Sequence, residues 1–184
     1  SKGHHFPLIT CVGVLDADLG LAGGDLRAAE RTYQMLHQVA GRAGREERVG
    51  KVWLQTRQPD NPLMQALSTW DRESFLKLEK QARCEAKMPP FGRLVSLIIS
   101  SKKEAESDQI ARLLAASAPS TPRAQILGPA PSALAFLRGR HRRRLLVKAD
   151  KDLNVQKMIS DWLGGLKIRG SVKVEIDIDP QSFA

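Results

Sequence analysis

The chain has 184 residues, and its 29 lysines and arginines outnumber its 20 aspartates and glutamates, which gives a formal net charge of +9 at pH 7. A chain of this length can bury a real core in one or two small domains, and its 42% hydrophobic content excludes wholesale disorder. No apolar run approaches the ~20 residues that span a bilayer, so we expect a cytoplasmic protein; the charge makes a polyanionic partner plausible. Cys11 and Cys84 lie far apart and indicate neither a disulfide framework nor a metal site.

The first part of the chain predicts two strands of a parallel sheet. An apolar strand over 10–15 is typical of a sheet that is buried on both faces, and a second strand is expected over 51–56. Two strands are too few for such a sheet, and the sequence does not begin with methionine. We therefore expect a fragment whose remaining strands come from upstream sequence.

Helical patterns lie between and after these strands. Residues 29, 33, 36 and 40 share one face of a helix whose expected N-cap is Asp25. Asn61-Pro62 is typical of a second helix start, and a third helix begins at Asp71, carries Phe75, Leu78 and Ala82 on one side, and stops before Pro89-Pro90. We place a first domain at 1–70, a helical connector at 71–90 and a second domain at 91–184.

The second domain has its own pattern of elements. Strands are expected over 94–100, near 125–127 and over 142–148, with a loop at 128–131, and helices over 103–116 and from Val155. The first helix places Ile110, Leu113 and Leu114 inward, and a last strand alternates with Val172, Val174, Ile176 and Ile178 inward. The order β-α-β-β-α-β is the ferredoxin-like plan, so the fold class is α/β followed by α+β.

The segment from Gln38 to Arg45 is the first candidate site. Its pattern Gln-x-x-Gly-Arg-x-Gly-Arg places Arg42 and Arg45 three positions apart at a helix end. Paired guanidinium groups suit the γ-phosphate of a nucleotide, although a solvated basic helix end is the plainer alternative. The two glycines weaken the helix, which favours the functional interpretation.

A second candidate lies around the first strand. Lys2, Gly3 and His4 lead into it, and Asp16 and Asp18 follow it, at the end of the sheet where ligands bind in α/β folds. If the strand stays extended, the two aspartates share a side and could hold a cation; the alternative is that they hydrogen-bond a neighbouring loop. The adjacent histidines at 4 and 5 have no third ligand nearby in the sequence and do not indicate a metal site.

The third candidate is a basic strand near the end of the chain. Leu145 and Val147 alternate inward, so the side chains of the basic residues around them are expected to share the outer face. Such cations fit a nucleic-acid backbone, while an edge strand protected by charge is the alternative. Only 5% of the residues are aromatic, so base stacking by this sheet is not expected. The proposed DNA-binding residues are Arg138, Arg140, Arg142, Arg144 and Lys148.

An ordered set of segments points to a family. The sequence contains no Gly-x-x-x-x-Gly-Lys-Ser/Thr loop for nucleotide phosphates, so another lobe would have to supply it. In the first half of the chain the segments are Lys2-Gly3-His4-His5-Phe6, Leu15-Asp16-Ala17-Asp18, Arg27-Ala28-Ala29-Glu30-Arg31 and Gln38 to Arg45. In the second half they are Pro89-Pro90-Phe91-Gly92-Arg93, Gly128-Pro129-Ala130-Pro131 and Asp177-Ile178-Asp179-Pro180. The first-half segments resemble motifs V and VI of superfamily-2 helicases, and the whole set more closely resembles the primosomal protein N′ (PriA) family of replication-restart DNA helicases.

The resemblance implies the activity of the whole family protein. It implies an ATP-dependent DNA helicase, a hydrolase, that moves 3′ to 5′, recognises stalled replication forks and initiates primosome assembly for replication restart. Residues 1–70 would be part of a RecA-like second motor lobe, and 91–184 a DNA-binding, primosome-contacting domain. Without a phosphate loop, the chain alone should not hydrolyse ATP. The alternative is a non-enzymatic, ferredoxin-like nucleic-acid-binding module.

The resemblance also implies site residues and partners. Gln38, Arg42 and Arg45 would approach ATP and Mg²⁺, with Arg45 as the arginine finger. Lys2, Gly3, His4, Asp16 and Asp18 would couple the DNA track to the nucleotide. Partners would be branched and single-stranded DNA, other primosome proteins and the acidic tail of single-stranded-DNA-binding protein, with no membrane. In the family an Arg and a Gln one helical turn apart meet that tail; Gln156 matches, but Asp152 stands at the Arg position. The family's zinc-binding cysteines lie upstream of this chain.

Overall fold

A computed structural model describes residues 9–21, 27–41, 43, 50–168 and 170–182. Within those ranges no helix is long and apolar enough to cross a membrane. The predicted N-cap at Asp25 lies outside them. In chain order the elements are β1 Cys11–Val14, α1 Ala28–Ala40, β2 Lys51–Leu54, α2 Pro62–Thr69, α3 Arg72–Glu85, β3 Gly92–Ser101, α4 Glu104–Ala116, β4 Ala124–Leu137, β5 Arg140–Asp150, α5 Val155–Gly164 and β6 Lys173–Ile178.

The chain divides into two compact units, residues 1–79 and 80–184. In the first unit β1 and β2 pair in parallel, in a register that runs from Cys11 opposite Lys51 to Val14 opposite Leu54. The predicted face of α1 is confirmed, because Tyr33, Leu36 and Ala40 are buried. Val14 and Leu54 pack against the cluster that α1, α2 and the start of α3 form.

The prediction that β1 is buried on both faces is wrong. Cys11 and Gly13 are exposed, whereas Val12 and Val14 are half-buried. Leu15, just after the strand, is 82% exposed, and Trp53 on β2 is 67% exposed. The physical reason is that, in the described part of this unit, the two-stranded sheet has its apolar cluster on one face.

The predicted starts of α2 and α3 are confirmed. The Asn61 side chain accepts a hydrogen bond from the Leu63 backbone N–H at 3.0 Å, with Pro62 in the first helical turn. The Asp71 side chain accepts one from the Ser74 N–H at 3.0 Å. The apolar face predicted for α3 is only partly right. Phe75 is buried against Tyr33, but Leu78 is 49% exposed and Ala82 is exposed, because only the start of α3 packs into the apolar cluster of the first unit.

The second unit contains a four-stranded antiparallel sheet in the order β4-β5-β3-β6. Its elements follow the predicted sequence of strand, helix, strand, strand, helix, strand. Helices α4 and α5 pack on one face and form a single core with the inward side chains of β3 and β5. That core contains Val95, Leu97, Ile99, Ile110, Ala111, Leu114, Leu145, Val147, Ala149, Val155, Ile159, Trp162 and Val172.

Three details of this unit differ from the sequence-based predictions. The expected loop at 128–131 lies inside β4, where the pairing with β5 shifts between Leu127 and Ala130. Leu113 is 43% exposed because the buried face of α4 runs through Ile110, Ala111 and Leu114. Ile176 is 45% exposed because β6 is the edge strand, where neighbours cover less of each side chain.

Two segments that carry the family resemblance meet at one end of this sheet. The Arg93 guanidinium contacts the Asp179 carboxylate, with an Nη2–Oδ2 distance of 2.8 Å and an Nε–Oδ2 distance of 2.9 Å. The Asp179 backbone N–H donates to the Leu94 carbonyl at 2.7 Å. Beside Arg93, a Cβ on Gly92 would lie 2.2 Å from the Lys87 carbonyl oxygen, so this position requires glycine.

The burial of α4 predicts that substitutions of two adjacent leucines will have different effects on stability. Leu114→Ala removes a fully buried side chain and should lower the free energy of unfolding by about 2–5 kcal/mol. Leu113→Ala removes an exposed one and should change it by less than about 1 kcal/mol. Chemical denaturation of both variants measures the difference, and equal losses would contradict the assigned face of α4.

Candidate nucleic-acid interface

Strand β5 has one apolar and one cationic face. Leu145, Val147 and Ala149 are buried in the core under α4 and α5. Because side chains alternate along a strand, the even-numbered residues of β5 face away from the helices. The third candidate site has four basic residues on β5, and the structure places all four on the outer face of the sheet. These residues are Arg140, Arg142, Arg144 and Lys148.

Arg143 points to the opposite side and contacts the helices. Its Nη2 lies 2.8 Å from Glu104 Oε1, and its Nε donates to the Asp108 carboxylate. These hydrogen bonds, first that to Asp108 and then that to Glu104, raise the pKa of the Arg143 guanidinium. Glu104 and Asp108 are four residues apart on α4, so they share a helix face. That spacing is the sequence signal for this pairing, and Arg143 is consequently a structural residue.

Arg140 is held by its own sheet. Its Nε donates to Ser100 Oγ at 3.1 Å, and its Nη2 donates to the Ser100 carbonyl at 2.7 Å and to the Ser171 carbonyl at 3.0 Å. These bonds use three of the five N–H groups of the guanidinium. Arg140 thus ties β5 to β3 and to the segment that precedes β6. These contacts hold the guanidinium charge of Arg140 in place, and its two remaining N–H groups are those on Nη1.

Arg138 occupies the tip of the β4–β5 hairpin. Arg138 and Gly139 form the two-residue connection, and both have positive φ, 50° and 73°. Positive φ at both positions is what a type I′ hairpin turn requires, and a glycine at the second position is its sequence signal. That signal was available in the sequence and predicts that β4 extends to residue 137.

Several of these cations line one small cavity. It has a volume of about 260 Å³ and lies on the outer side of the sheet at the hairpin end. Its charged lining consists of four cations and one carboxylate, and Arg142 Nη1 is buried with no hydrogen-bond partner among the residues the structure describes. An unpaired guanidinium N–H in a cationic hollow suits an anionic oxygen. The lining residues are Ser100, Leu137, Arg138, Arg140, Arg142, Lys173 and Glu175.

Lys148 lies apart from this cavity. It is six residues from Arg142 along β5, which corresponds to about 20 Å. It lines a separate hollow of about 180 Å³ with Lys87, Arg123 and Asp150. Asp150 lies 3.5 Å from the Lys87 amine and 3.8 Å from Arg123 Nε, so much of this charge is balanced. The five predicted DNA-binding residues therefore share an outer face or its tip, but they do not form one cluster.

Asp16 and Asp18 do not lie together on an extended strand, because β1 ends at Val14. Asp18 Oδ1 accepts a hydrogen bond from Thr56 Oγ1 at 2.6 Å, and Oδ2 accepts one from the Arg57 N–H at 2.7 Å. Asp16 Oδ1 accepts from the Asp18 N–H at 3.1 Å. Asp18 thus hydrogen-bonds the loop after β2, the alternative that the sequence left open. No group of three or more His, Cys, Asp or Glu side chains within the described ranges could hold a metal ion.

Of the nucleotide-coupling residues, the structure describes Gln38, Asp16 and Asp18. Gln38 is exposed near the end of α1, where it lines a shallow hollow of about 480 Å³ with Tyr33, His37 and Arg72. Lys2, Gly3, His4, Arg42 and Arg45 lie outside the described residues.

Near Gln156 the structure shows an ion pair between Asp152, which stands at the family's Arg position, and Arg123. Gln156 is exposed in the first turn of α5. Asp152 precedes that helix, so the two residues are not one helical turn apart on it. Asp152 Oδ1 lies 2.7 Å from Arg123 Nη2, and this contact lowers the pKa of the Asp152 carboxyl.

Comparisons of the sequence with known proteins match both units of this mixed α/β structure. The family model described as the primosomal protein N C-terminal domain matches residues 84–181. The relatives named replication restart protein PriA are 46% identical over 183 residues in Rickettsia felis, 37% over 184 residues in Treponema pallidum and 34% over 187 residues in Bacillus subtilis. These alignments cover 100%, 98% and 98% of this chain. The chain spans 28%, 28% and 23% of the length of those relatives.

By these matches, the chain is a C-terminal portion of a replication-restart protein. The chain belongs to the PriA family, and its second unit corresponds to the primosomal protein N C-terminal domain.

The contacts of Asp18 predict a pH-dependent stability. Hydrogen bonds from the Arg57 N–H and the Thr56 hydroxyl lower its pKa in the folded chain below that of the unfolded chain. The stabilisation is therefore present above the unfolded pKa and is lost as the pH falls through the lower folded value. Asp18→Asn should flatten the decline in unfolding free energy between about pH 5 and pH 3. Denaturant titrations followed by circular dichroism measure both profiles, with Thr56→Val as a second variant that should flatten the decline less. Parallel profiles for the native chain and Asp18→Asn would contradict the assigned role.

Proposed function

We propose that the 184 residues are the C-terminal part of an ATP-dependent 3′ to 5′ DNA helicase that recognises stalled replication forks and initiates primosome assembly. Membership of the PriA family supports the role in replication restart. The observation that carries DNA binding by this part is the cationic outer face of β5 with its hollow at the hairpin end. We propose the cytoplasm as its location, because the bacterial chromosome is replicated there.

We further propose a ferredoxin-like fold for the second unit and a partial RecA-like motor lobe for the first. The strand order β4-β5-β3-β6, with all pairs antiparallel and two helices on one face, supports the first assignment. The parallel pairing of β1 with β2 across α1 supports the second, because parallel neighbours need such a crossover.

The cationic face would bind the DNA backbone rather than read its bases. Phosphate oxygens accept charge-assisted hydrogen bonds from guanidinium groups, and Arg142 has a buried Nη1 group without a partner in the described chain. Arg140 would act as a positioning residue, because most of its N–H groups bind Ser100 and Ser171. Binding through phosphates is independent of sequence and falls steeply with salt.

The salt dependence of DNA binding tests this proposal. Arg142→Ala combined with Arg144→Ala should reduce the slope of log K against log[salt] by about 1.4 to 1.8, because each lost phosphate contact removes about 0.7 to 0.9. Fluorescence anisotropy of the 184-residue chain on a forked oligonucleotide measures the slope. Because β5 lies between β4 and β3, the alternative of a charge-protected edge strand is wrong for it. An unchanged slope would show that these two arginines do not contact the DNA backbone.

The matched control removes two positive charges elsewhere. Arg112 lies on α4 and Lys167 lies in the loop after α5, and both are exposed. The double variant Arg112→Ala with Lys167→Ala lowers the net charge equally and should leave most of the slope intact. A reduction as large as that in the β5 variant would indicate a general charge effect instead of an interface.

The motor assignment rests on the resemblance. Gln38, Arg42 and Arg45 would approach ATP and Mg²⁺ held largely by another lobe, with Lys2, Gly3 and His4 on the coupling segment. Both oxygens of Asp18 accept hydrogen bonds from the loop after β2, which supports a role for that carboxylate in positioning this loop. We propose Gln156 as a contact for the acidic tail of single-stranded-DNA-binding protein, beside the Arg123–Asp152 ion pair. Other primosome proteins are proposed as partners, and zinc would bind the family protein outside these 184 residues.

Nucleotide turnover separates the helicase from a non-enzymatic binding module. The 184-residue chain should show no DNA-stimulated ATP hydrolysis, because its sequence contains no phosphate loop. In the longer family protein, Arg45→Ala should reduce ATP turnover at least ~10³-fold, as for other arginine fingers, and leave DNA affinity unchanged. A phosphate-release assay measures both, and unchanged turnover in the variant would favour the binding module.

A further inference from the structure

The β4–β5 hairpin exposes an aromatic side chain next to its cations. Phe136 is 60% exposed and is the second residue before the turn at Arg138 and Gly139. Its ring packs on the imidazole of His141, with ring centroids 4.9 Å apart and planes tilted by 60°. A phenylalanine held this way has one side supported and much of its surface open to solvent.

The ring pair and the cavity occupy opposite faces of the hairpin. Phe136 is paired with His141 across the two strands, and His141 shares its side of β5 with Arg143 and Leu145. Leu137 is paired with Arg140 and lines the cationic cavity. The end of the hairpin therefore presents an aromatic side and a cationic side, with Arg138 at the tip between them.

The chemistry of both sides fits one kind of partner. Aromatic rings that are exposed beside cations serve as stacking platforms for unpaired bases, whereas the phosphates bind the cations. A duplex alone offers no open base face to Phe136, because its bases are stacked on each other. A junction between duplex and single strand offers both a backbone and an unpaired base.

We propose that Phe136, supported by His141, stacks on an unpaired base at a duplex–single-strand junction while backbone phosphates lie against Arg138 and the opposite, cationic side of the hairpin. This inference rests on the proposed DNA-binding function and deepens it by naming the DNA structure that the domain prefers. It also revises the sequence-based expectation that base stacking by this sheet is absent.

The test compares two substitutions at one position. Phe136→Ala should weaken binding of the 184-residue chain to a partial duplex with a single-stranded arm by about 5-fold or more, the loss expected from one stacked base. Phe136→Trp keeps an aromatic surface and should retain at least most of the affinity. A 2-aminopurine placed at the first unpaired position reports stacking directly, and its quenching on binding should disappear in Phe136→Ala and persist in Phe136→Trp.

Two controls make the outcome specific. Leu113→Ala removes a similarly exposed apolar side chain from α4 and should leave junction binding unchanged. Binding of Phe136→Ala to fully paired duplex should match that of the native chain, and its salt slope on the junction should be unchanged. An equal loss on duplex and junction would show that the ring only maintains the hairpin, and this would overturn the inference.

The failure of this inference is distinguishable from that of the proposed function. If Phe136→Ala binds the junction normally while the Arg142 and Arg144 double variant still loses salt dependence, the stacking site is wrong and the DNA-binding function stands. If the native chain binds neither DNA structure, the proposed function itself fails.

Discussion

The antiparallel pairing of β3 with β5 is the constraint on which the rest of the second unit depends. Its register runs without a break from Gly92 opposite Asp150 to Ser101 opposite His141. Because side chains alternate, a slip by one residue would move Leu145 and Val147 to solvent and Arg144 into the core. The burial of these apolar side chains under α4 and α5 therefore also fixes where every arginine of β5 points.

The clustered arginines have separate physical roles despite their adjacency in sequence. Arg143 faces α4, where Glu104 and Asp108 neutralise it at a partly buried position. Arg140 donates most of its N–H groups to carbonyl and hydroxyl oxygens of neighbouring segments of the unit. Arg138 and Arg142 line the hairpin cavity together with Arg140 and with Lys173 from β6. Net charge therefore overstates the number of groups available to a polyanion.

Several segments that indicate the family stabilise the fold of the second unit. Arg93 and Asp179 come from two of them and bring together the start of β3 and the end of β6. Gly128 begins a third and has φ of 106°, and a Cβ there would lie 2.8 Å from the Arg144 carbonyl oxygen. Such segments identify a family because few other residues satisfy the backbone geometry, and this argument is separate from any contact with DNA.

Sequence patterns alone determined the order of the elements, the buried face of α1, the caps of α2 and α3, and the alternation that separates core from cations on β5. These features depend on local periodicity and on hydrogen bonds between near neighbours. Tertiary structure decided the exposure of Leu113, Ile176 and Leu15, because burial depends on which elements cover a face. It also decided that Asp18 bonds the loop after β2 and that Phe136 and His141 form an exposed pair. Those contacts join residues on different strands or loops, and only the pairing of these segments in the folded chain brings them together.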